Sequence, residues 1–493
     1  MRTRELLAFD LGASNGRAVL GRFDGSTLKL EELHRFDNVH TYKHGLYYWD
    51  VKKLFSELKN GFISMRKQTG HSPDCFGIDT WGVDFGLLDR SGSLLGNPRS
   101  YRIATDTEME SAWKLVPKRT MFDRAGIAAM NFNTAYQLYR RRLEDDKELD
   151  KADTMLLMPD LLGYMFTGDK LTEYTNATTT NLLNPFTHDW DMQTINELSL
   201  PPHIFTPIDF AGSLRSTINP CIAEEMGIGC VPLAAVGTHD TASAVAAIPG
   251  GGSFAFCSSG TWSLFGVETQ APVITDSIYS ANFSNEGTVQ GGFCPLNNIM
   301  GLWLIQECRR EWGRKGTRLS WNEIVQLAEK EVPFRSIIDP DYPPFFSAGW
   351  MLEKIIEYCK ATNQPQPESI GQFARCIYES LALKYRYTFD VLEVIKGERI
   401  NTLNIVGGGI QNCLLNQMVA DSIERPVITG PIEGACAGSI LMQAKALGEI
   451  GDISEVREVV KRSFPLKLYE PHTTDQWHDA FLRLKTYMKL MRV

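Results

Sequence analysis

The chain has 493 residues, 43% of them hydrophobic and 22% charged, with a net charge of −9; this is the make-up of a globular protein of two or about three domains. Its Lys and Arg are scattered rather than striped, which argues against a nucleic-acid or anionic-membrane partner. No apolar run is long enough to span a bilayer, the start lacks a signal-peptide core, and single Cys residues without Cys-x-x-Cys spacing disfavour metal clusters and a disulfide framework, so a cytoplasmic protein is expected.

The first element is an apolar strand, Leu6 to Phe9, that ends on the carboxylate of Asp10, turns through small residues between Gly12 and Gly16, and leaves as a second apolar run after Arg17. A turn this small lets backbone N–H groups approach an anion, with Asp10 placed to hold a cation beside it; a plain solvated hairpin fits the same pattern. Leu28 to Leu33 reads as a third strand. Asp50 then caps an amphipathic helix with Val51, Leu54, Phe55, Leu58, Phe62 and Met65 at helical spacing. Phe76 to Asp79 is the next buried strand, reached by a crossover.

A second hairpin is expected over Gly77 to Asp89. At its turn Asp79, Thr80, Trp81 and Gly82 combine a carboxylate, a hydroxyl, a flat apolar face and bare backbone, which suits a polyol and equally suits a structural Trp above a capped turn. Residues 100 to 200 read as mostly helical, with Met158-Pro159-Asp160 ahead of an apolar helix. The hydroxyl-rich stretch Glu173 to Thr180 reads as side chains bonding local backbone. From Val231 an apolar strand delivers Gly237-Thr-His-Asp240 and an Ala-rich helix; Asp240 stands at a strand-to-helix junction either as a reactive carboxylate or as a helix cap, with His239 beside it.

Pro249 to Ser253 is the clearest linker. Past it, Phe254 to Phe265 repeats the opening design of apolar strand, small polar turn and apolar strand, which suggests an internal duplication and domains of 1–248 and 249–493. The second half then predicts a helix from Asn298 to Trp312, a helical insertion over 320–365, and a long helix from Ile370 to Ile395. Strand Leu403 to Val406 ends in Gly407-Gly-Gly409 and opens a helix with Asn412, Asn416 and Gln417; three glycines there let an adenine or phosphate lie on the backbone. Pro426 to Thr429 is a further strand, Glu433 starts a small-residue helix, and 452–493 reads as helix plus strand.

Taken in order, the opening hairpin, Gly237-Thr-His-Asp240, Ser258-Ser-Gly-Thr261, the triple glycine and Glu433-Gly-Ala-Cys-Ala-Gly438 resemble the FGGY carbohydrate kinases. The likeness to the group acting on L-rhamnulose is carried by Gly77-Ile-Asp-Thr-Trp-Gly-Val-Asp-Phe85, Glu173-Tyr-Thr-Asn-Ala-Thr178, His239-Asp-Thr-Ala-Ser-Ala-Val245, Ser258-Ser-Gly-Thr-Trp-Ser-Leu264 and Asn298-Ile-Met-Gly-Leu-Trp303. The resemblance implies an α/β fold of two ribonuclease-H-like domains of the actin and Hsp70 type, with an active-site cleft between them. It implies ATP and Mg²⁺ as cofactors and a small-molecule ketose as partner, in a monomer or homodimer. By the same resemblance Ala13, Ser14, Asn15, Gly16 and Arg17 meet the phosphates, and Asp10 the metal. Asp240 is the general base, Gly82, His239, Asp240, Thr241 and Asn298 touch the sugar, and Thr261, Gln306 and Gly408 line the nucleotide site. The chain departs from the family at Ile103 and Thr105, where relatives carry Asp-x-Arg, and at Asn297, where they carry Lys. These departures leave L-fuculose or a pentulose open as substrates. A non-catalytic sugar- or nucleotide-responsive protein on the same fold is the alternative of another class.

Overall fold

The structure is a computed structural model that describes residues 2–472 and 475–491. Two compact units are present: unit 1 comprises Met1–Ile248, Glu268–Pro295 and Glu433–Phe464, and unit 2 comprises Pro249–Val267, Leu296–Ile432 and Pro465–Val493. The chain first passes between them at the head of the Pro-Gly linker, and two later segments rejoin unit 1.

Unit 1 is built on a six-stranded sheet. Strands β1 (Arg4–Leu11), β2 (Asn15–Phe23) and β3 (Leu28–Asp37) form an antiparallel meander, and β4 (Cys75–Thr80) then lies parallel to β1 on its other side. Strands β5 (Leu214–Thr217) and β6 (Pro232–Ala234) complete the order β5-β6-β4-β1-β2-β3, with β6 parallel to β4 and antiparallel to β5. Side chains alternate along β1. Leu7, Phe9 and Leu11 pack with Leu54, Leu58, Phe62 and Met65 of helix α1 (Val51–Thr69), whose N-cap Asp50 accepts from Lys53 N at 3.1 Å. Leu6 and Ala8 pack on the opposite face with Ala246 of α2 (Asp240–Ala246) and Cys436, Ala437, Ile440 and Leu441 of α3 (Gly434–Ala446). By the same alternation Asp10 points to the α2/α3 face.

Those two helices pack closely because their contact is made of small residues. A Cβ on Gly438 would lie 1.8 Å from the Ser243 carbonyl oxygen, so only glycine fits there. Each buried Leu or Phe of the sheet contributes about 1.5–3 kcal/mol, which sets a high cost on any shift of these strands.

The second expected hairpin does not form. Both edges of β4 are taken by β1 and β6, so the chain leaves the sheet after Thr80. Phe85–Leu88 pairs instead with Thr154–Leu157, antiparallel, with Phe85 opposite Leu157. The Glu173–Thr180 stretch forms the short helix Tyr174–Thr178, and the Thr178, Thr179 and Thr180 hydroxyls do bond local carbonyls, those of Thr175, Asn176 and Ala177.

Unit 2 repeats the plan. Strands β7 (Phe254–Ser259), β8 (Trp262–Gly266), β9 (Phe293–Met300, of which this unit holds the part from Leu296), β10 (Thr402–Val406), β11 (Val427–Thr429) and β12 (Lys467–Tyr469) run in the order β9-β8-β7-β10-β11-β12. As in unit 1, the first three pair antiparallel, the next two are parallel to the first, and the edge strand is antiparallel. The helix expected from Asn298 is a correction: Asn298 sits in β9 opposite Leu264, and the helix is Trp303–Arg314. Pairing along β8 holds the chain extended as far as Met300. The long helix runs Ile370–Lys396, and helices Trp321–Glu329 and Met351–Ala361 fill the insertion. Among the described residues no helix is long and apolar enough to cross a membrane.

Candidate active site

In unit 1 the carboxyl ends of parallel strands β1 and β4 carry Asp10 and Asp79 in register, side by side on the α2/α3 face, and Asp240 opens α2 beside them. The N-cap position of α2 is His239, with no side-chain cap bond, so Asp240 is not there as the cap. Arg17, opposite Asp10 across the hairpin, donates from Nε (3.0 Å) and Nη2 (2.7 Å) to Asp10 Oδ2, and its Nη1 pairs with Glu433. The Cys436 thiol lies 3.4 Å from the same Asp10 oxygen.

Asp79 is fully buried, and by hydrogen-bond geometry neither of its oxygens has a partner among the described residues. Burial pushes its carboxyl well above the usual carboxylate range, and the charges of Asp10 and Asp240 push it the same way. Asp240 is raised too, by burial first and by Asp10, while His239 and the Thr241 N–H and hydroxyl oppose the shift. Thr241 Oγ1 donates to Asp240 Oδ1 at 3.2 Å. Carboxylates crowded in this way favour a cation or a proton among them.

His239 is buried between two carboxylates, with Nδ1 at 3.2 Å from Glu286 Oε2 and Nε2 at 3.6 Å from Asp240 Oδ1. Burial works most strongly against its charge, but Glu286, Asp240 and Glu173 together outweigh burial, and the imidazole is pushed up to about 8. Glu173 anchors the preceding turn. Its Oε2 accepts from Thr238 N (3.1 Å) and Oγ1 (2.8 Å) and from Thr175 N (3.0 Å) and Oγ1 (2.5 Å), while Thr175 Oγ1 accepts from His239 N at 3.2 Å. Burial pushes Glu173 up to about 7 against those donors.

Another buried carboxylate, Asp84, organises the aromatic wall after β4. Its Oδ2 accepts from the indole N–H groups of Trp49 (2.6 Å) and Trp81 (3.0 Å), and its Oδ1 from Gln137 Nε2 (3.1 Å). The two indoles lie with ring centroids 4.1 Å apart, and His40 packs 4.0 Å from Trp49. Trp81 is 7% exposed, so it is chiefly a packed residue rather than an open platform. Burial pushes the Asp84 carboxyl up to about 6 against these three donors and the Tyr101 N–H, which donates to Oδ2 at 3.3 Å. Gly82 continues this wall, and a Cβ there would meet the Thr179 side chain at 2.9 Å. The two departures at Ile103 and Thr105 line a cavity of ≈ 20 Å³ with Gln137 and Arg140, the size of about one water; Arg140 Nη1 donates to the Ile103 carbonyl at 2.7 Å.

The hairpin tip is a tight, tied turn. Gly12 N donates to Asn15 O (2.9 Å), Asn38 N to Ser14 O (3.0 Å), and Asn38 Nδ2 to Gly12 O (2.9 Å). Ala13 packs partly into the core, and a Cβ on Gly16 would strike the Phe36 ring at 2.3 Å. In unit 2, Thr261 Oγ1 donates to Gln306 Oε1 at 3.3 Å, so two predicted nucleotide residues meet. The triple glycine packs on the strand just before Thr261: a Cβ on Gly407, whose φ is +85°, would lie 2.9 Å from Ser259 O, and one on Gly409 would lie 2.0 Å from Ser259 Oγ. A Cβ on Gly408 would meet nothing within 4 Å. Asn298 belongs to unit 2, on β9.

Sequence reasoning assigned no charge-cluster role to Asp79 and missed Asp84, Glu173 and Glu286 as site residues. Asp79 and Asp84 had a local signal, carboxylates inside the otherwise apolar run Phe76 to Leu88. Glu286 had none, since its partner is 47 residues away.

A family model for the N-terminal domain of the FGGY family of carbohydrate kinases matches residues 6–247, and one for the C-terminal domain matches 255–447. The chain belongs to the FGGY family of carbohydrate kinases. As a carbohydrate kinase it binds a sugar and ATP. It is 41% identical to a rhamnulokinase of Bacteroides thetaiotaomicron over 99% of this chain and 100% of that one. A rhamnulokinase of Enterococcus faecalis is 39% identical over 97% and 98% of the two chains. The fold is shared with Plasmodium falciparum glycerol kinase with ADP (TM-score 0.79, 14% identity, 100% and 99% coverage) and with ligand-bound xylulose kinase from Lactobacillus acidophilus (0.78, 15%, 99% and 96%). The carbohydrate kinase therefore has the two-domain α/β fold of the ribonuclease-H-like, actin type that the resemblance implied.

Proposed function

We infer that this carbohydrate kinase transfers the γ-phosphoryl group of ATP to the C1 hydroxyl of L-rhamnulose, giving L-rhamnulose 1-phosphate and ADP, in L-rhamnose breakdown in the cytoplasm. The substrate follows the rhamnulokinases to which the chain is similar from end to end. The chemistry rests on one observation: Asp240, partly exposed at the head of α2, has His239 on one side and the charge of Asp10 on the other.

Asp240 accepts the hydroxyl proton. An alcohol is far less acidic than a carboxylic acid, so the proton moves late, as the new P–O bond forms. His239, Thr241, Gly82 and Asn298 bind the sugar, and the Asp84-held indoles stiffen the wall that carries Gly82. Ala13 to Arg17 meet the phosphates, and Thr261, Gln306 and Gly408 the rest of the nucleotide; unit 1, which holds 1–248, acts as the sugar and base domain and unit 2, drawn from 249–493, as the nucleotide domain, in a monomer or homodimer.

Magnesium fits the residues present. Among the described residues no three His, Cys, Asp or Glu side chains form a protein-built metal cage, and Mg²⁺ commonly takes one or two carboxylates and completes its shell with water and phosphate oxygens. Asp10 would hold it, in a cluster whose crowded carboxylates need a counter-charge; when bound, the ion neutralises charge on the migrating phosphoryl group.

The test is ADP release from ATP and Mg²⁺ with L-rhamnulose, with the phosphorylated position read by NMR. Rapid release with product phosphorylated at C1 is expected. Ile103 and Thr105 favour one second reading, another ketose: turnover of L-fuculose or a pentulose with none of L-rhamnulose would move the substrate, and no ketose-stimulated release at all would overturn the kinase assignment.

A further inference from the structure

His239 is gripped from a side of the fold that the proposed chemistry does not use. Glu286 lies in the short strand Ser284–Gly287 of unit 1, is half-buried, and approaches Nδ1 at 3.2 Å, while the other ring nitrogen faces Asp240 at 3.6 Å, within ion-pair range but beyond a hydrogen bond. The charged and titratable groups facing this ring are Glu286 from that strand, Asp240 from its own turn, and Glu173 from the strand Thr172–Glu173. The backbone of the ring's residue is pinned independently by Thr175. What remains for Glu286 to determine is the orientation and charge of the imidazole.

We propose that Glu286 is a positioning residue for phosphoryl transfer: it pairs with the His239 ring at Nδ1, keeping Nε2 as a positive charge that faces Asp240, so that the base stays ionised and oriented toward the sugar hydroxyl. The inference rests on the assignment of Asp240 as base. A carboxylate behind an imidazole stabilises the imidazolium, and an imidazolium beside a buried carboxylate favours its ionised form. Both effects are present: Glu286 raises His239, and His239 lowers Asp240 against the rise that burial imposes. His239 is then charged through neutral pH and loses its proton in the mildly alkaline range, where sugar-dependent turnover declines.

Two measurements on the full chain test this. The first needs no substrate: His Cε1 resonances are titrated by NMR in the ligand-free protein, with His239 identified by its absence in His239→Gln. In Glu286→Gln its midpoint falls by about one pH unit or more, and Glu286→Asp restores most of the shift. The second is the pH profile of kcat/KM for the ketose. Glu286→Gln moves the alkaline limb to lower pH and lowers kcat about tenfold, with the KM for ATP unchanged. An unmoved His239 midpoint, or a lowered kcat with an unmoved alkaline limb, overturns the proposal and leaves only a packing role for Glu286. Should Glu286→Gln not fold, Glu286→Ala is read the same way, with an unmoved midpoint against the proposal. The titration separates the two readings: absence of ketose turnover by the wild type sinks the kinase assignment, whereas an active wild type with an unmoved midpoint sinks this inference alone.

Discussion

Two residues before the turn glycine of its first hairpin, unit 1 has Asp10 and unit 2 has Ser258. Across the hairpin Asp10 faces Arg17, and on the parallel strand beside it stands Asp79; the corresponding neighbours of Ser258 are Leu264 and Val406. Both sheets set the first hairpin beside a parallel strand, although their last two strands come in opposite chain order and Ser284–Gly287 extends the second sheet, so the backbone offers each unit the same turn at the same place. Only unit 1 fills that edge with titratable groups, while unit 2 leaves hydroxyls and bare glycine backbone. A duplicated scaffold has thus been divided by side chains: one copy suited to counter-charge and proton transfer, the other to close backbone contact with a ligand.

Breaking the charged edge has the largest expected effect. Asp240→Asn should lower kcat by about 10²- to 10⁴-fold with sugar affinity retained, measured by ADP release and by calorimetry; a near-normal rate would remove Asp240 as base and with it the contrast between the units. Asp10→Asn should lower kcat by about 10²-fold and raise the Mg²⁺ concentration needed for half-maximal rate, again without loss of sugar binding. Equal activity at every Mg²⁺ level would show that the Asp10/Ser258 difference has no bearing on the metal.

Stability gives the next contrast. Asp84→Ala strands two buried indole N–H groups and should cost about 2–5 kcal/mol by denaturant titration. Asp84→Asn keeps acceptors for the indoles and tests the charge. The folded carboxyl is pushed up to about 6, above the unfolded value, so its contribution to stability is present below the ordinary carboxylate range and is lost as pH rises through about 6. The melting temperature of Asp84→Asn should therefore fall less than that of wild type over this window, and parallel curves would count against a buried charge. The smallest effects belong to unit 2. Gly408→Ala meets open space and should leave the melting temperature unchanged while raising KM for ATP a few-fold. Gly409→Ala collides with Ser259 and should cost about 1–3 kcal/mol; the reverse ranking would mean that Gly408, not Gly409, is the packing residue.

Much of this edge was legible in the residues. The alternation Leu6, Ala8, Asp10 against Leu7, Phe9, Leu11, the capped amphipathic helix after Asp50, the repeated hairpin and the small-residue helix after Glu433 all formed as read. The hairpin expected over Gly77 to Asp89 failed because β4 has a parallel neighbour on each edge, which no local pattern announces. Asn298 lies at the foot of a segment with helical content, yet pairing with β8 holds it in a strand.

The sequence by itself determined most of the elements and the family, since periodicity, turn chemistry and ordered motifs are local or linear properties. Tertiary structure alone decided which charges meet. Asp10 and Asp79 are neighbours through parallel register, Asp240 joins them because α2 starts at the same edge, and Glu286 reaches His239 from a segment that rejoins unit 1. Electrostatic coupling depends on distance and burial, and both are set by packing between residues far apart in the chain.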